Sequence, residues 1–316
     1  MSEIIPQTEM QEPIVIRTGD AKAGAPHEVV RLGSAKGGWF RRVGWRHIVG
    51  LLALAFSIFP ILFVLSSALN PLGTLASSEL IPRQVTFDNF HKVLFDTSFP
   101  LWFVNTLIIG LLSAGLSMFI SACAAYAFSR FRFKGRRSGL LGVLLVQMFP
   151  ALLAIVAIYL IYAKISDYWP AVGFNTRWGL LLLYMGGALG TTTWLMKGFF
   201  DTIPKDLDES AKVDGATHPQ IFFGIILPLV VPILAVTGLL GFIGAVNEFM
   251  IASIFLTDDS AKTAAVGLYG LVSEERNNNF GVFAAGSLLL AIPIVVLFQF
   301  LQRYIVGGLT TGAVKG

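Results

Sequence analysis

Residues 97–129 read TSFPLWFVNTLIIGLLSAGLSMFISACAAYAFS, and this stretch contains no Asp, Glu, Lys or Arg. A helix needs about 20 apolar residues to cross the hydrocarbon core of a bilayer, so the stretch is long enough for one span. It also lacks the period-two alternation of a membrane barrel strand. The stretch therefore predicts a membrane-spanning helix near residues 101–126.

Five further runs without these charged residues have a comparable length: 48–78, 138–163, 178–196, 219–247 and 277–302. They predict spans near 48–69, 139–163, 178–198, 222–246 and 281–304. Backbone polar groups in lipid must be satisfied within the segment, which favours helices. Of the 316 residues, 55% are hydrophobic and only 13% are charged, which excludes both a soluble globule and a disordered chain. We therefore expect an all-α polytopic membrane protein with six transmembrane helices.

The distribution of Lys and Arg predicts how these spans are oriented. With the N-terminus inside, the inner segments hold 17 of the 23 basic residues and the outer segments hold six. The loop at 130–137, RFRFKGRR, is the strongest single determinant of this orientation. Basic residues are retained on the cytoplasmic side, so both termini are predicted to be cytoplasmic.

The chain divides into three predicted regions. Residues 1–47 are polar, and five basic residues without an acid lie between Arg31 and Arg46. This cluster could bind a lipid surface or nucleic acid, but we favour a disordered cytoplasmic tail that ends in a topogenic cluster. Lipid is then the expected partner and nucleic acid is not. Residues 48–306 form the membrane domain, and residues 307–316 form a cytoplasmic C-terminal tail.

The sequence lacks the residues that several functional classes require. The six charge-free runs contain none of the ionisable residues that proton- or sodium-coupled carriers use. The chain has no G-x-x-x-x-G-K-[ST] motif, so it does not bind ATP through a P-loop. We predict no catalytic residue and no metal site. Glu248, just beyond the fifth run, could be a gate or substrate contact, but we favour an interfacial carboxylate that faces water.

One predicted cytoplasmic segment, residues 203–228, differs from the rest: IPKDLDESAKVDGATHPQIFFGIILP. Acidic residues early in the segment favour a helix N-terminus. Gly215 is suited to the left-handed conformation that ends a helix, and Thr217 with Gln220 has capping-box spacing. The segment therefore predicts two short helices joined by a turn. Such a unit could grip a partner or could simply link two spans.

The same segment resembles the EAA loop of binding-protein-dependent ABC importer permeases. That pattern reads E-A-A, three residues, G, nine residues and I-x-L-P; Glu209, Ser210, Ala211, Gly215 and residues 225–228 fall at those spacings. Ser210 replaces the central Ala and is small enough for the same packing. The resemblance implies that the loop at 201–220 carries a coupling helix that docks on a separate ATPase. The residues at or near that contact would be Glu209, Ser210, Ala211, Asp214 and Gly215.

Within this family, the chain is most similar to MalG-type subunits of maltose/maltodextrin importers. The similarity covers nearly everything after about residue 45, including residues 147–151, 214–217 and 227–235. The end of the chain, residues 308–316, resembles a tail that enters the interface between two ATPase subunits. The outer loop at 257–280 occupies the place of the loop that enters the sugar-binding protein. Four tail residues would lie at the ATPase interface: Gly312, Val314, Lys315 and Gly316.

The resemblance implies an inner-membrane permease that moves maltose- or maltodextrin-like oligosaccharides into the cytoplasm. Its expected partners are a MalF-like second permease, a dimeric MalK-like ATPase and a periplasmic or lipid-anchored sugar-binding protein. ATP and Mg would bind to those partners, so this chain would not be an enzyme and would bind no cofactor. No substrate-binding residue is assigned. Alternatives are a permease for trehalose or sucrose, a self-contained carrier or a membrane scaffold.

Overall fold

The computed structural model describes residues 43–74, 82, 84–274 and 279–313, and throughout these ranges the regular structure is helical, with no strand. Three helices are each long and apolar enough to cross a membrane. They are α1 (Trp45–Leu69), α3 (Phe99–Arg130) and α14 (Phe280–Ala313), and a short helix, α2 (Asp88–Phe95), precedes α3. These three match the first, second and sixth predicted spans.

The third and fifth predicted spans are bent pairs of helices. The third consists of α4 (Arg136–Met148) and α5 (Ala151–Tyr168), which meet at Pro150. Proline forces the preceding residue into an extended conformation, and Phe149 indeed has ψ of 127°. If each bent pair is counted once, five spans pass the length and composition test.

The fourth predicted span differs from the prediction of one helix over 178–198. It consists of α6 (Arg177–Met185) and α7 (Thr191–Asp201), separated by residues 186–190. The intervening sequence, Gly-Gly-Ala-Leu-Gly, is mostly turn and includes three glycines, which destabilise a helix interior. Each half is too short to cross a bilayer alone.

The predicted pair of short helices after α7 is confirmed. These are α8 (Asp206–Val213) and α9 (His218–Ile221), and α9 leads into a π-helical stretch, Phe222–Ile226. The one-turn helix α10 (Leu227–Leu229) and the helix α11 (Val231–Asn247) follow. The stretch His218–Leu229 is bent by 79° relative to α11.

Helix α3 packs against α6, α7 and α11, and α11 in turn packs against α14. After α11, the chain forms α12 (Met250–Phe255) and α13 (Ala264–Glu274), and α13 packs on α3 and α14. Helix α3 therefore contacts both the segment before α8 and the segment after α11.

The last helix extends beyond its predicted end. Helix α14 continues to Ala313, so residues 307–313 prolong this helix rather than starting a separate tail at 307. The predicted N-terminal tail lies almost entirely outside the described residues, which begin at 43.

Candidate functional site

Helix α8 has one buried face and one exposed face. Asp208 and Ala211, three positions apart, are 5% and 8% exposed. Ala211 belongs to a hydrophobic cluster that includes Phe200, Ile221 and Phe222. We call this cluster the loop core; its other fully buried members are Ala122, Ala125, Tyr126, Met196, Ile203, Ile226 and Val230. The loop core fixes the orientation of α8.

The opposite face of α8 is open to solvent. Glu209, Ser210 and Lys212 are exposed there. Val213 is 88% exposed, so the face also presents an apolar side chain. Mixed acidic and apolar side chains on a rigid helix form a surface that can pack against another protein.

The turn after α8 follows the geometry predicted for Gly215. Gly215 has φ of +86°, which is the left-handed conformation that favours glycine. Its N–H donates to the Lys212 carbonyl at 3.0 Å, and the Ala216 N–H donates to the Ala211 carbonyl at 2.9 Å. These two bonds form a Schellman motif. Asp214, just before Gly215, is exposed at the C-cap.

The start of α9 also follows the prediction. The Thr217 N–H donates to Gln220 Oε1 at 2.8 Å, which is the backward bond of a capping box. Both helices of the segment therefore have satisfied ends at the turn, and the turn holds them in one defined arrangement.

The Arg130 end of α3 holds the 201–220 loop by polar contacts. Arg130 Nε lies 2.8 Å from Asp208 Oδ2, and the two side chains are only 5% and 7% exposed. Arg130 Nη2 also donates to the Ile203 carbonyl at 3.1 Å. The Arg130 guanidinium thus serves two partners: its charge pairs with the Asp208 carboxylate, and its Nη2 donates to the Ile203 carbonyl.

A second contact lies one residue earlier on α3. The Ser129 hydroxyl donates to Asp201 Oδ1 at 2.6 Å, and Lys197 forms an ion pair with the same carboxylate. Burial acts to raise the pKa of Asp201, but the hydrogen bonds from Lys197 and Ser129 outweigh it and hold this pKa below its ordinary value. Asp201 is therefore ionised at neutral pH and anchors the end of α7 to α3.

The structure brings together the five loop residues named from the sequence. Glu209, Ser210, Asp214 and Gly215 lie on the exposed side, whereas Ala211 is buried. Of the four named tail residues, Gly312 lies in the last turns of α14. The other three, Val314, Lys315 and Gly316, lie outside the described residues.

Sequence reasoning did not single out Ser129, Arg130, Asp201 and Asp208 as one group. The available signal was an acidic cluster at 201–214 and a basic run that starts at Arg130. Their pairing could not be deduced, because 78 positions separate Arg130 from Asp208 and several other basic residues could have been the partner.

Glu248 has a structural role that neither sequence interpretation described. It is partly buried, and its carboxylate accepts from the N–H groups of Ile251 and Ala252 at 2.7 and 2.9 Å. It also accepts from the Tyr184 hydroxyl at 2.8 Å. Glu248 thus satisfies the first amides of α12 and ties α12 to α6, so the favoured interpretation of a simple water-facing carboxylate was wrong.

Comparisons with known proteins identify the family that the chain matches. The family described as "Binding-protein-dependent transport system inner membrane component" matches residues 117–310. The galactooligosaccharides transport system permease protein GanQ of Bacillus subtilis (strain 168) is 41% identical over 278 residues, covering 86% of this chain and 96% of GanQ. The maltose/maltodextrin transport system permease protein MalG of Yersinia pestis is also 41% identical, over 283 residues, covering 85% and 92%.

A solved structure shares the fold. It is the crystal structure of a bacterial ABC transporter involved in the import of the acidic polysaccharide alginate, with a TM-score of 0.70. The match covers 84% of this chain and 97% of the other, at 22% sequence identity. At that identity the similarity shows a common fold.

Proposed function

The chain belongs to the family of binding-protein-dependent transport system inner membrane components, and from this premise we propose that its 201–220 loop is the docking element for an ATPase. As a member of this family it is a multi-pass inner-membrane permease subunit of an ABC importer. The observation that carries the proposal is the two-sided character of α8. One side is fixed in the loop core, and the other presents Glu209, Ser210 and the apolar side chain of Val213.

Coupling requires a surface that is both accessible and rigid. Asp214 and Gly215 lie in a turn that two backbone hydrogen bonds hold in place. A displacement of α8 is therefore transmitted to α9. Val213 is a suitable apolar contact for a cleft, because burying its side chain would contribute about 1.5–3 kcal/mol. Ala211 contributes indirectly, since its small side chain seats α8 on the loop core.

The ATP-hydrolysing step is assigned to partner proteins. The sequence contains no P-loop, and we therefore assign ATP and Mg binding to a dimeric MalK-like ATPase. A MalF-like permease would complete the pathway, and a sugar-binding protein would deliver the substrate from outside. ATP binding would close the ATPase dimer and shift the permease between inward- and outward-facing states, a two-state change biased by ligand.

The proposed orientation places both termini and the 201–220 loop in the cytoplasm. It rests on the distribution of Lys and Arg in the sequence. In this orientation the C-terminal residues Gly312, Val314, Lys315 and Gly316 would be on the same side as the ATPase, where they are proposed to enter its subunit interface.

We propose a maltodextrin-like oligosaccharide as the substrate. Several similar permeases carry maltose or maltodextrin in their names, including MalG of Yersinia pestis and MalD of Streptococcus pneumoniae. A galactooligosaccharide is the second candidate, because GanQ shows the same 41% identity as the Yersinia protein. Binding of each sugar to the cognate binding protein, measured by calorimetry, separates the two candidates.

The docking proposal is tested by replacing Gly215. Proline cannot adopt φ of +86° and lacks the N–H that bonds to Lys212, so Gly215→Pro breaks the turn. We expect the variant to reach the membrane but to lose sugar uptake and to retain little ATPase on affinity purification. The matched control is Gly135→Pro, because Gly135 has the same φ of +86° but lies outside the loop.

Two results would contradict the proposal. One is that no ATPase co-purifies with the affinity-tagged wild-type protein in mild detergent. The other is Gly215→Pro protein that takes up sugar at the wild-type rate.

A further inference from the structure

Helix α3 is a continuous connection across the membrane domain. It has 32 residues, which at 1.5 Å per residue gives a length of about 48 Å. Its proline, Pro100, lies in the first turn, where no intrahelical hydrogen bond is lost. Two neighbouring stretches, α4 with α5 and α9 with α11, are instead sharply bent.

The Arg130 end of α3 is fixed to the loop at three points. Arg130 contacts Asp208 and the Ile203 carbonyl, and Ser129 contacts Asp201. These contacts hold the start of the loop and the middle of α8. Displacing α8 relative to α3 would therefore break a buried ion pair.

The Phe99 end of α3 is fixed to the segment between α12 and α13. Trp102 Nε1 donates to the Asp259 carbonyl at 2.8 Å, and Asn105 Nδ2 donates to the carbonyls of Ser260 and Lys262 at 3.0 and 2.9 Å. The Thr106 hydroxyl accepts from the Ala264 N–H at 2.7 Å. The three side chains of α3 are at most 4% exposed.

The ion pair is not explained by stability alone. Its burial carries a desolvation cost, and well-packed apolar residues often match or exceed the stability of such a pair. Here Arg130 Nε and Nη1 and both Asp208 carboxylate oxygens are buried without a hydrogen bond in the part of the chain that the structure describes, so the 2.8 Å contact is an ion pair without hydrogen-bond geometry. What the pair supplies is a fixed relative position, because a lone buried charge is strongly unfavourable.

We propose that Arg130 and Asp208 are positioning residues that join α8 and α3 into one body, so that α3 carries the displacement of α8 to the segment at 257–264. This inference rests on the proposed function, in which α8 contacts the ATPase, and on the resemblance that places the outer loop at 257–280 against the sugar-binding protein. The coupling is reciprocal: binding-protein engagement at the far end of α3 also biases the position of α8.

The test uses the complete transporter, with its partner permease, ATPase and binding protein, reconstituted in vesicles. Sugar uptake and ATP hydrolysis are measured together for Arg130→Gln, Asp208→Asn and the double variant. Each single variant is expected to assemble, to hydrolyse ATP and to move at least about fivefold less sugar per ATP. The double variant is expected to lose much less than the product of the two single effects, since both changes break the same contact.

The matched control is Arg132→Gln. Arg132 is an exposed arginine two residues further along the same basic run, and the same substitution there should leave the sugar-to-ATP ratio unchanged. If Arg130→Gln does not assemble, Arg130→Lys is used, because it keeps the charge but lacks the planar fork that reaches both Asp208 and Ile203. An intermediate ratio is then expected.

The outcomes distinguish failure of the proposed function from failure of the positioning role. A wild-type complex without binding-protein-stimulated ATP hydrolysis would overturn the proposed function itself. A coupled wild-type complex whose Arg130 and Asp208 variants keep the normal ratio would overturn only the positioning role. Failure of both Arg130→Gln and Arg130→Lys to assemble would also count against it, since the pair would then serve folding.

Discussion

Helices α3 and α11 pack against each other, but they differ in how continuous the helical structure is. Helix α3 runs unbroken for 32 residues, whereas α11 follows a π-helical stretch and a bend of 79°. Pro228 and Pro232 lie in the bent region, and each removes a backbone donor. The difference is what the proposed coupling needs: α3 would transmit a displacement along its length, whereas the chain changes direction just before α11.

The contact between the two helices is close where glycine is present. A Cβ added to Gly110 of α3 would lie 3.0 Å from the Phe242 ring of α11, and one added to Gly241 would lie 3.5 Å from Ala114. Small residues let membrane helices approach closely. Helix α11 is therefore held closely against α3 along part of its length, so a displacement of α3 would reach α11 directly.

The largest expected effect comes from placing a proline in the middle of the straight helix. Gly115 lies in α3 and Gly244 in α11, and both have open space where a side chain would begin. Gly115→Pro removes a hydrogen bond of α3 and destabilises the helix by ~3 kcal/mol. We therefore expect sugar uptake to fall at least about tenfold. Gly244→Pro should have a smaller effect, since α11 is already part of a bent stretch.

Uptake into cells and the amount of assembled complex are compared for the two proline variants, with Gly115→Ala and Gly244→Ala as controls for the loss of glycine. Equal loss of uptake at both positions would remove the functional distinction between α3 and α11.

A smaller effect is expected at the Phe99 end of α3. A Cβ on Gly267 of α13 would clash with the Trp102 ring, so Gly267→Ala forces α13 away from α3. Such overpacking typically costs about 1–3 kcal/mol. We expect a lower melting temperature and a severalfold weaker stimulation of ATP hydrolysis by the loaded binding protein.

Gly270→Ala is the matched control for this change. Gly270 is on the same helix and has nothing within 4 Å of the added Cβ. The two alanine variants are measured side by side, and identical stimulation would show that the Trp102 contact does not bear on coupling.

The sequence predicted the helical membrane class and the helices at the EAA-like loop because these depend on local patterns. Charge-free runs of about 20 residues mark spans, and Gly215 with Thr217 and Gln220 marks the turn. These features are encoded within a few positions of where they act.

The remaining features depend on contacts between distant parts of the chain. Hydropathy could not show that 178–198 divides into two helices, since its glycines are also compatible with close helix packing. Glu248 caps α12 and contacts Tyr184, which lies 64 positions earlier. The pairing of Arg130 with Asp208 likewise required the fold, because composition alone allowed several partners for each charge.

The central claim, that the exposed face of α8 docks on the ATPase, is tested most directly by site-specific cross-linking. Cys123 is the sole cysteine of the chain, so a Cys123→Ser background allows one new thiol to be labelled with a benzophenone maleimide. Glu209→Cys is placed on α8, and Asp258→Cys, also exposed, is the control near the other end of α3. On irradiation of the assembled transporter, Glu209→Cys should form an adduct with the ATPase and Asp258→Cys should not. Absence of an ATPase adduct at position 209 in a complex that hydrolyses ATP, or equal adducts from both positions, would contradict the account.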